Sequence, residues 1–279
     1  MPEGNTVHRY ALEHDEALRG RRISVTSPQG RFSQEAAELD GRRFLRAEAW
    51  GKHLFHFWQG RLVVHVHLGM FGRFTRFDGE APEPRPTVRM RLAAGKRAAR
   101  PAVTIDLAGA PACELMTTER RRSLLARLGP DPLRGDADPE RIWSALRARD
   151  RPIGDALLDQ RVIAGVGNIY RNEALFLTAI HPLRPSNTIN RREWLLLWET
   201  ILRLMRRGLR QGRIATVEPG ETPHRSSGRG PRDAFYVYRR EICRRCGARI
   251  RMFPLSGRKM FACEKCQPIG RAARRNRDK

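Results

Sequence analysis

Two pairs of cysteines near the C-terminus constrain this chain more than any other feature. Cys243-x-x-Cys246 is followed, after sixteen residues, by Cys263-x-x-Cys266. Two knuckles at this spacing supply four thiolates for one tetrahedral Zn²⁺. Ile250, Met252, Phe253 and Phe261 in the linking stretch have the pattern of a short apolar hairpin, so the segment reads as a zinc ribbon. A piece this short cannot bury a core of its own, and the metal stands in for one. No histidine or carboxylate arrangement there suggests an open metal position, so the expected zinc is structural. Arg258 and Lys259 fall at the expected hairpin tip, where a guanidinium can fork onto a phosphate. The fifth cysteine, Cys113, stands apart and reads as a small apolar residue.

The charge points to a polyanion. The 279 residues carry 54 Lys and Arg against 30 Asp and Glu, a formal net charge of +24. Residues 201–279 hold 22 of the bases and only 6 of the acids, hence +16 of that total. Nucleic acid is the leading partner for such a chain, although a ribosomal protein or a solvated basic tail shares the signature. The start, MPEGNTVHRYALEH, lacks the form of a signal peptide, and no apolar run is long enough to span a membrane. A cytoplasmic location without disulfides is therefore expected.

Along the chain, residues 6–18 read as a helix, with Val7, Tyr10, Ala11, His14 and Leu18 at helical spacing. Removal of Met1 would expose the imino nitrogen of Pro2 beside Glu3. A secondary amine can attack an aldehyde-like carbon, with the carboxyl group placed to move protons. Pro at a helix start is also an ordinary structural choice. Residues 44–74 alternate in β fashion, with Gly51-Lys52-His53 at a turn. Five of the basic residues are Lys and 49 are Arg. Lys52 is thus a rare group that can give up a proton, or else a solvated turn residue. His67-Leu68-Gly69-Met70-Phe71-Gly72 places an apolar tip between glycines, suited to a wedge beside an unstacked base or to a buried strand corner.

The second half reads as helical over 138–149, 153–159, 168–177 and 190–209, after a helix at 117–128. Trp194, Leu195, Trp198, Ile201, Leu202 and Met205 form a core stripe on the longest helix. Between two of these helices lies LLDQRVIAGVGNIYRNEALF, residues 157–176. Gly165 and Gly167 permit close approach of another backbone, and Asn168 reads as the N-cap of the next helix. A helix start of this kind is a phosphate seat or a plain helix–helix turn. Residues 218–232, rich in Gly, Pro, Ser and Arg, read as a mobile loop.

Taken together, the Pro2-Glu3-Gly4 start, Lys52 in its strand turn, the 157–176 stretch and Arg258 five residues before Cys263 resemble the Fpg/Nei family of DNA glycosylases from end to end. Within it, the GNTV continuation and the cysteine-containing segment after Ala108 look more like the actinobacterial endonuclease VIII 2 branch. The resemblance implies an α+β, multidomain fold. An N-terminal β-sandwich with flanking helices would span 1–128, a helical helix–two-turn–helix domain 129–232, and a zinc ribbon with a basic tail 233–279. It also implies a monomer, associated with the nucleoid, that works on damaged double-stranded DNA in a basic cleft.

The site residues follow from the same resemblance. Pro2 would be the nucleophile at C1′, Glu3 a proton shuttle, Lys52 a phosphate and β-elimination group, and Arg258 a phosphate and δ-elimination group. DNA contacts would come from His67, Asn168, the Met70-Phe71 wedge and an arginine such as Arg127. Two departures stand out: Thr6 replaces the usual acidic residue, and DLAGAPACELM offers no Arg-x-Phe element to read an orphaned cytosine. Both depart from a strict Fpg specificity; the missing Arg-x-Phe and the mobile loop expected at 218–232 favour oxidised pyrimidines, with an Fpg-like 8-oxoguanine glycosylase as the alternative. A non-enzymatic nucleic-acid-binding zinc-ribbon protein is the competing reading, and it leaves Pro2, Glu3 and Lys52 without a purpose.

Overall fold

The computed structural model describes residues 2–96, 100–221 and 234–269. The chain divides into two compact units, Met1–Arg127 and Leu128–Lys279. The first opens with helix α1 (Gly4–Leu18), which buries Val7, Ala11, His14 and Leu18 on one face and leaves Leu12 in solvent. It begins two residues before the sequence pattern does. Gly4 and Asn5 are weak helix formers, yet both are buried, and tertiary packing overrides propensity there.

Strand β1 (Ser24–Thr26) and helix α2 (Ser33–Leu39) lead into the hairpins β2 (Phe44–Trp50), β3 (His53–Trp58) and β4 (Leu62–His67). Strands β5 (Arg73–Asp78), β6 (Val88–Ala94), β7 (Val103–Ala108) and β8 (Ala112–Met116) complete the set, followed by helix α3 (Thr118–Ala126). Two antiparallel four-stranded sheets result, in the orders β1-β6-β7-β5 and β2-β3-β4-β8. Leu54, Trp58, Val64 and Val66 of one sheet share a core with Met90, Leu92, Ile105 and Leu107 of the other, closed by α1 and α2. This is a β-sandwich with flanking helices, as the resemblance implies. Cys113 lies in that core, and burial pushes its thiol up to about 12, consistent with an apolar role.

The second unit contains α4 (Pro139–Arg147), α5 (Ile153–Ala156), α6 (Asn168–Leu177) and α7 (Arg191–Gln211). Asp138 caps α4 by accepting from the backbone N–H groups of Glu140 and Arg141. A reciprocal cap opens α7: Asn190 Oδ1 accepts from Glu193 N at 2.9 Å, and Glu193 Oε2 from Asn190 N at 3.0 Å. The α7 stripe is core, as expected, but Leu197 and Leu204 complete its buried face, while Leu195 and Leu202 are only half-buried. The unit ends in a hairpin of β9 (Arg251–Leu255) and β10 (Arg258–Ala262). No helix among the described residues is long and apolar enough to cross a membrane.

Candidate active site and metal centre

Glu3 is the N-cap of α1. Its carbonyl accepts from Thr6 N at 3.0 Å and Val7 N at 3.3 Å, while its side chain makes no cap bond. That carboxyl group is fully buried, so its position is fixed and it is not used to start the helix. Pro2, half-buried, precedes it directly. The helix start thus places the Pro2 nitrogen, a free secondary amine once Met1 is removed, next in the chain to a buried carboxyl group.

Lys52 occupies the two-residue turn between β2 and β3, where Gly51 at φ 58° supplies the left-handed backbone of a tight hairpin. His67 ends β4, opposite His53 in register, with ring centroids 5.1 Å apart. Its Nδ1 accepts from Gly69 N at 3.2 Å. Burial lowers the pKa of His67, and the charges of His65 and Lys52 lower it further. Beyond it, Met70 and Phe71 are 46% and 76% exposed, far more than residues of a buried corner. Their turn is braced from below. A Cβ on Gly69 would lie 2.8 Å from Pro111 Cγ, and one on Gly109 would lie 2.9 Å from the Phe71 carbonyl oxygen. A shallow groove of about 410 Å³ runs beside this tip, lined in part by Arg31 and Arg89. Arg127 is exposed at the C-cap of α3, and its charge acts on His53.

In the second unit, Gly165 at φ 93° turns the chain and Gly167, not Asn168, is the N-cap of α6. Asn168 is the first helical residue and is buried. Its Nδ2 donates to the Lys259 carbonyl at 3.1 Å, and its Oδ1 accepts from Arg171 Nε at 2.9 Å. Asn172 accepts from Phe261 N at 2.7 Å. The helix therefore grips the strand that carries Arg258 and Lys259. Arg258 begins β10, just past the Ser256-Gly257 turn rather than at its apex.

Buried Glu173 adds a second anchor. It accepts from Tyr236 N, Val237 N and Tyr238 N at 2.8–2.9 Å, and from the Thr216 hydroxyl. These bonds join residues more than forty positions apart in sequence, so periodicity gave no sign of them. Of the segment 218–232, residues 222–232 lie outside the described residues.

The four cysteines converge. Sγ of Cys243 lies 4.0 Å from that of Cys266, and Sγ of Cys246 lies 3.4 Å from that of Cys263. All four sulfurs fall within 4.8 Å of one another. Ligands about 2.3 Å from a tetrahedral centre lie about 3.8 Å apart, so the cluster fits a metal with a sulfur donor set.

Sequence reasoning missed a row of polar groups on the outer face of the β2-β3-β4-β8 sheet. His53 Nδ1 lies 2.9 Å from His65 Nε2, and His65 Nδ1 lies 3.1 Å from Glu114 Oε1. The alternation of HLFHFW and LVVHVH puts His53, His65 and His67 on one face, but only the register brings Glu114 to them.

The chain thus combines a half-buried Pro2 beside a buried carboxyl group, an exposed Met70-Phe71 tip and a four-cysteine cluster. The sequence matches the formamidopyrimidine-DNA glycosylase N-terminal domain over residues 1–102 and the formamidopyrimidine-DNA glycosylase H2TH domain over residues 128–218. It is 47% identical to Endonuclease 8 1 of Mycobacterium tuberculosis over 96% of this chain and all of that one. It is 39% identical to Probable endonuclease 8 2 of Streptomyces coelicolor over 66% of each chain. Lactococcus lactis Fpg, solved with a DNA containing N7-benzyl-Fapy-dG, superposes with a TM-score of 0.78 at 25% identity, covering 96% of this chain and 100% of that one. The chain belongs to the Fpg/Nei family, whose members are DNA N-glycosylases with AP lyase activity that act in base excision repair.

Proposed function

We propose that this chain is a bifunctional DNA glycosylase/AP lyase that removes oxidised bases, pyrimidines ahead of 8-oxoguanine, through its N-terminal proline. The observation that carries the reading is Pro2 directly beside the fully buried carboxyl group of Glu3. Once Met1 is removed, the Pro2 nitrogen forms a bond to C1′ of the damaged nucleotide while the glycosidic bond breaks and the base leaves with its electron pair. The nitrogen loses its proton, the sugar ring opens, and a Schiff base remains. Glu3 shuttles the protons of those steps. Lys52 positions phosphate and supports β-elimination, and Arg258 holds the adjacent phosphate and assists δ-elimination. His67 and Asn168 contact the DNA backbone, Met70 and Phe71 fill the gap left by the flipped base, and Arg127 reaches toward the opposite strand.

Zn²⁺ bound by Cys243, Cys246, Cys263 and Cys266 supplies structure, not chemistry. Through the hairpin it keeps Arg258 in place. The three segments 1–128, 129–232 and 233–279 divide these tasks into chemistry, backbone grip and phosphate clamp. The substrate puts the enzyme with the chromosome, at the cytoplasmic nucleoid, and one set of these residues per chain requires no second copy.

Support for the pyrimidine preference comes from the turn between β7 and β8. Only Gly109, Ala110 and Pro111 span it, and it lies against the Met70-Phe71 tip. An arginine that reads the opposite base adds about 1–3 kcal/mol of discrimination, and this turn carries none. Choice then rests on how easily a lesion unstacks, which favours saturated, non-planar pyrimidines.

Borohydride trapping on an abasic duplex, followed by peptide mapping, tests the nucleophile. The adduct is expected on Pro2, and a crosslink on Lys52 with Pro2 unmodified would refute the assignment. Single-turnover rates on thymine glycol, dihydrouracil and 8-oxoguanine:cytosine duplexes test the preference. An 8-oxoguanine rate above both pyrimidine rates would reverse it.

A further inference from the structure

The row His53–His65–Glu114 crosses three strands of one sheet and ends beside Lys52. Register puts His53 opposite His67, and His65 opposite Glu114. His65 is buried and its ring stacks on both neighbours, with centroids 5.1 Å from His53 and 5.3 Å from Phe55. At the far end, Glu114 Oε2 accepts from Arg120 at 2.9 Å.

The donors and acceptors of this row have one consistent assignment. A carboxylate paired with arginine only accepts, so His65 Nδ1 must carry a proton and donate to Glu114. Burial lowers the pKa of His65 and brings that of His53 down to about 3, so both rings are neutral near neutrality. A neutral ring with its proton on Nδ1 has a lone pair on Nε2. His65 Nε2 therefore accepts from His53 Nδ1, and His53 is left with Nε2 as a lone-pair acceptor. The residue next to His53 in the chain is Lys52, whose charge acts on both His53 and His67.

The geometry points to His53 as a positioning residue for Lys52, held in a single tautomer by His65 and Glu114 so that its Nε2 offers an acceptor to the Lys52 ammonium group. This deepens the proposed function and rests on its assignment of Lys52 to β-elimination. No bond is made or broken in the row. It fixes where the ammonium points and keeps a second positive charge away from it. The charged and titratable groups facing His53 are Lys52 in the β2–β3 turn, His65 and His67 on β4, and Arg127 after α3. Glu114 on β8 and Arg120 on α3 act on it through His65.

Two substitutions at His65 separate positioning from packing. In His65→Phe the ring still stacks but the row is cut. In His65→Gln the side-chain amide can donate to Glu114 and its carbonyl can accept from His53. Single-turnover strand cleavage of a preformed abasic duplex by the zinc-loaded, full-length protein is the readout, followed across pH. His65→Phe is expected to slow cleavage on the order of tenfold, a small part of what a full proton-transfer group contributes. It should alter the pH profile and leave duplex affinity unchanged. His65→Gln should recover most of the rate.

Glu114→Ala, at a position one-third exposed, is expected to lose a similar share and tests the row even if His65→Phe fails to fold. Wild-type rates and pH profiles in both His65→Phe and Glu114→Ala would overturn the inference, as would a His65→Gln rate as low as that of His65→Phe. Borohydride trapping of wild-type protein is run alongside. Its absence would refute the proline reading itself, a failure distinguishable from that of the row because it requires no variant.

Discussion

The sandwich unit and the C-terminal hairpin are held together in opposite ways. In the first, apolar side chains from two sheets and two helices close a continuous core around Trp58, Phe44 and Leu54. In the second, β9 and β10 enclose no core of their own: Met260 and Phe261 pack into apolar clusters of the helical unit, and four thiols and polar side chains of α6 hold the rest. Asn168, one turn earlier, and the adjacent Asn172 and Glu173 reach to the backbones of Lys259, Phe261 and residues 236–238. A packed core tolerates the loss of one contact and relaxes partly around it. A buried donor left without its acceptor costs about 1–3 kcal/mol each time. Pro2, Glu3 and Lys52, proposed for chemistry, lie on the tolerant scaffold, whereas Asn168 and Arg258, proposed to hold phosphate, lie on the brittle one.

Removing metal should break that contrast most sharply. Chelation, or Cys263→Ser, is expected to unfold the hairpin and reduce duplex affinity at least tenfold, because structural zinc contributes on the order of 10 kcal/mol to such small modules. The stability of the sandwich, followed by amide hydrogen exchange in β3, β4 and β7, should be unchanged. If both units melt together, the contrast is wrong. Pro2→Gly is the converse experiment: trapping should fall to a trace while duplex affinity and both melting transitions stay as in the wild type. Weakened binding would give Pro2 a structural role instead.

Acid provides a third test, confined to the sandwich. His14 Nδ1 and His56 Nε2 lie 2.9 Å apart in its core, and burial brings His56 down to about 3 and His14 well below its usual value. Such depressed values mean that the unfolded chain takes up protons that the folded chain refuses. The stabilisation is complete above pH about 6.5 and is lost as pH falls from there toward 3. The melting temperature of the sandwich should drop over that window, and replacing His14 and His56 together with Met and Leu should flatten the drop. The smallest effect is expected from Phe71→Ala. At 76% exposure its side chain adds little to stability, so melting should not move, while removal of a paired lesion should slow severalfold. An unaltered rate would remove Phe71 from the wedge.

Much of this arrangement is legible in the sequence because its signals are local. The cysteine spacing, the strand alternation over 44–74 and the start of α6 at Asn168 all lie within a few residues of what they specify. The cap of α6 differs from the expected one for a local reason as well. Asn is a good N-cap residue, but Gly167 adopts the extended cap conformation (φ −122°, ψ −161°) and releases the Asn168 amide for Lys259 and Arg171. What the sequence does not disclose is long-range. Glu114 meets His65 across 49 residues, and Glu173 meets Tyr238 across 65. Neither partner has an unusual residue type or spacing, so only the strand register and helix docking bring them together.

The glycine-braced turn at residues 69–72 has a mechanical consequence. Leu68 and Gly72 approach so closely that any Cβ on Gly72 would lie 2.3 Å from the Leu68 carbonyl oxygen, and Gly109 presses on the turn from below. The tip also connects β4 of one sheet to β5 of the other, so a load applied at Phe71 is divided between both layers. It behaves as a stiff strut and not as a spring. In the wedge role proposed for Met70 and Phe71, such a strut would leave the duplex as the compliant body. On that proposal the strain of probing would gather in the weakest base step, and a poorly stacked lesion would yield before the protein does.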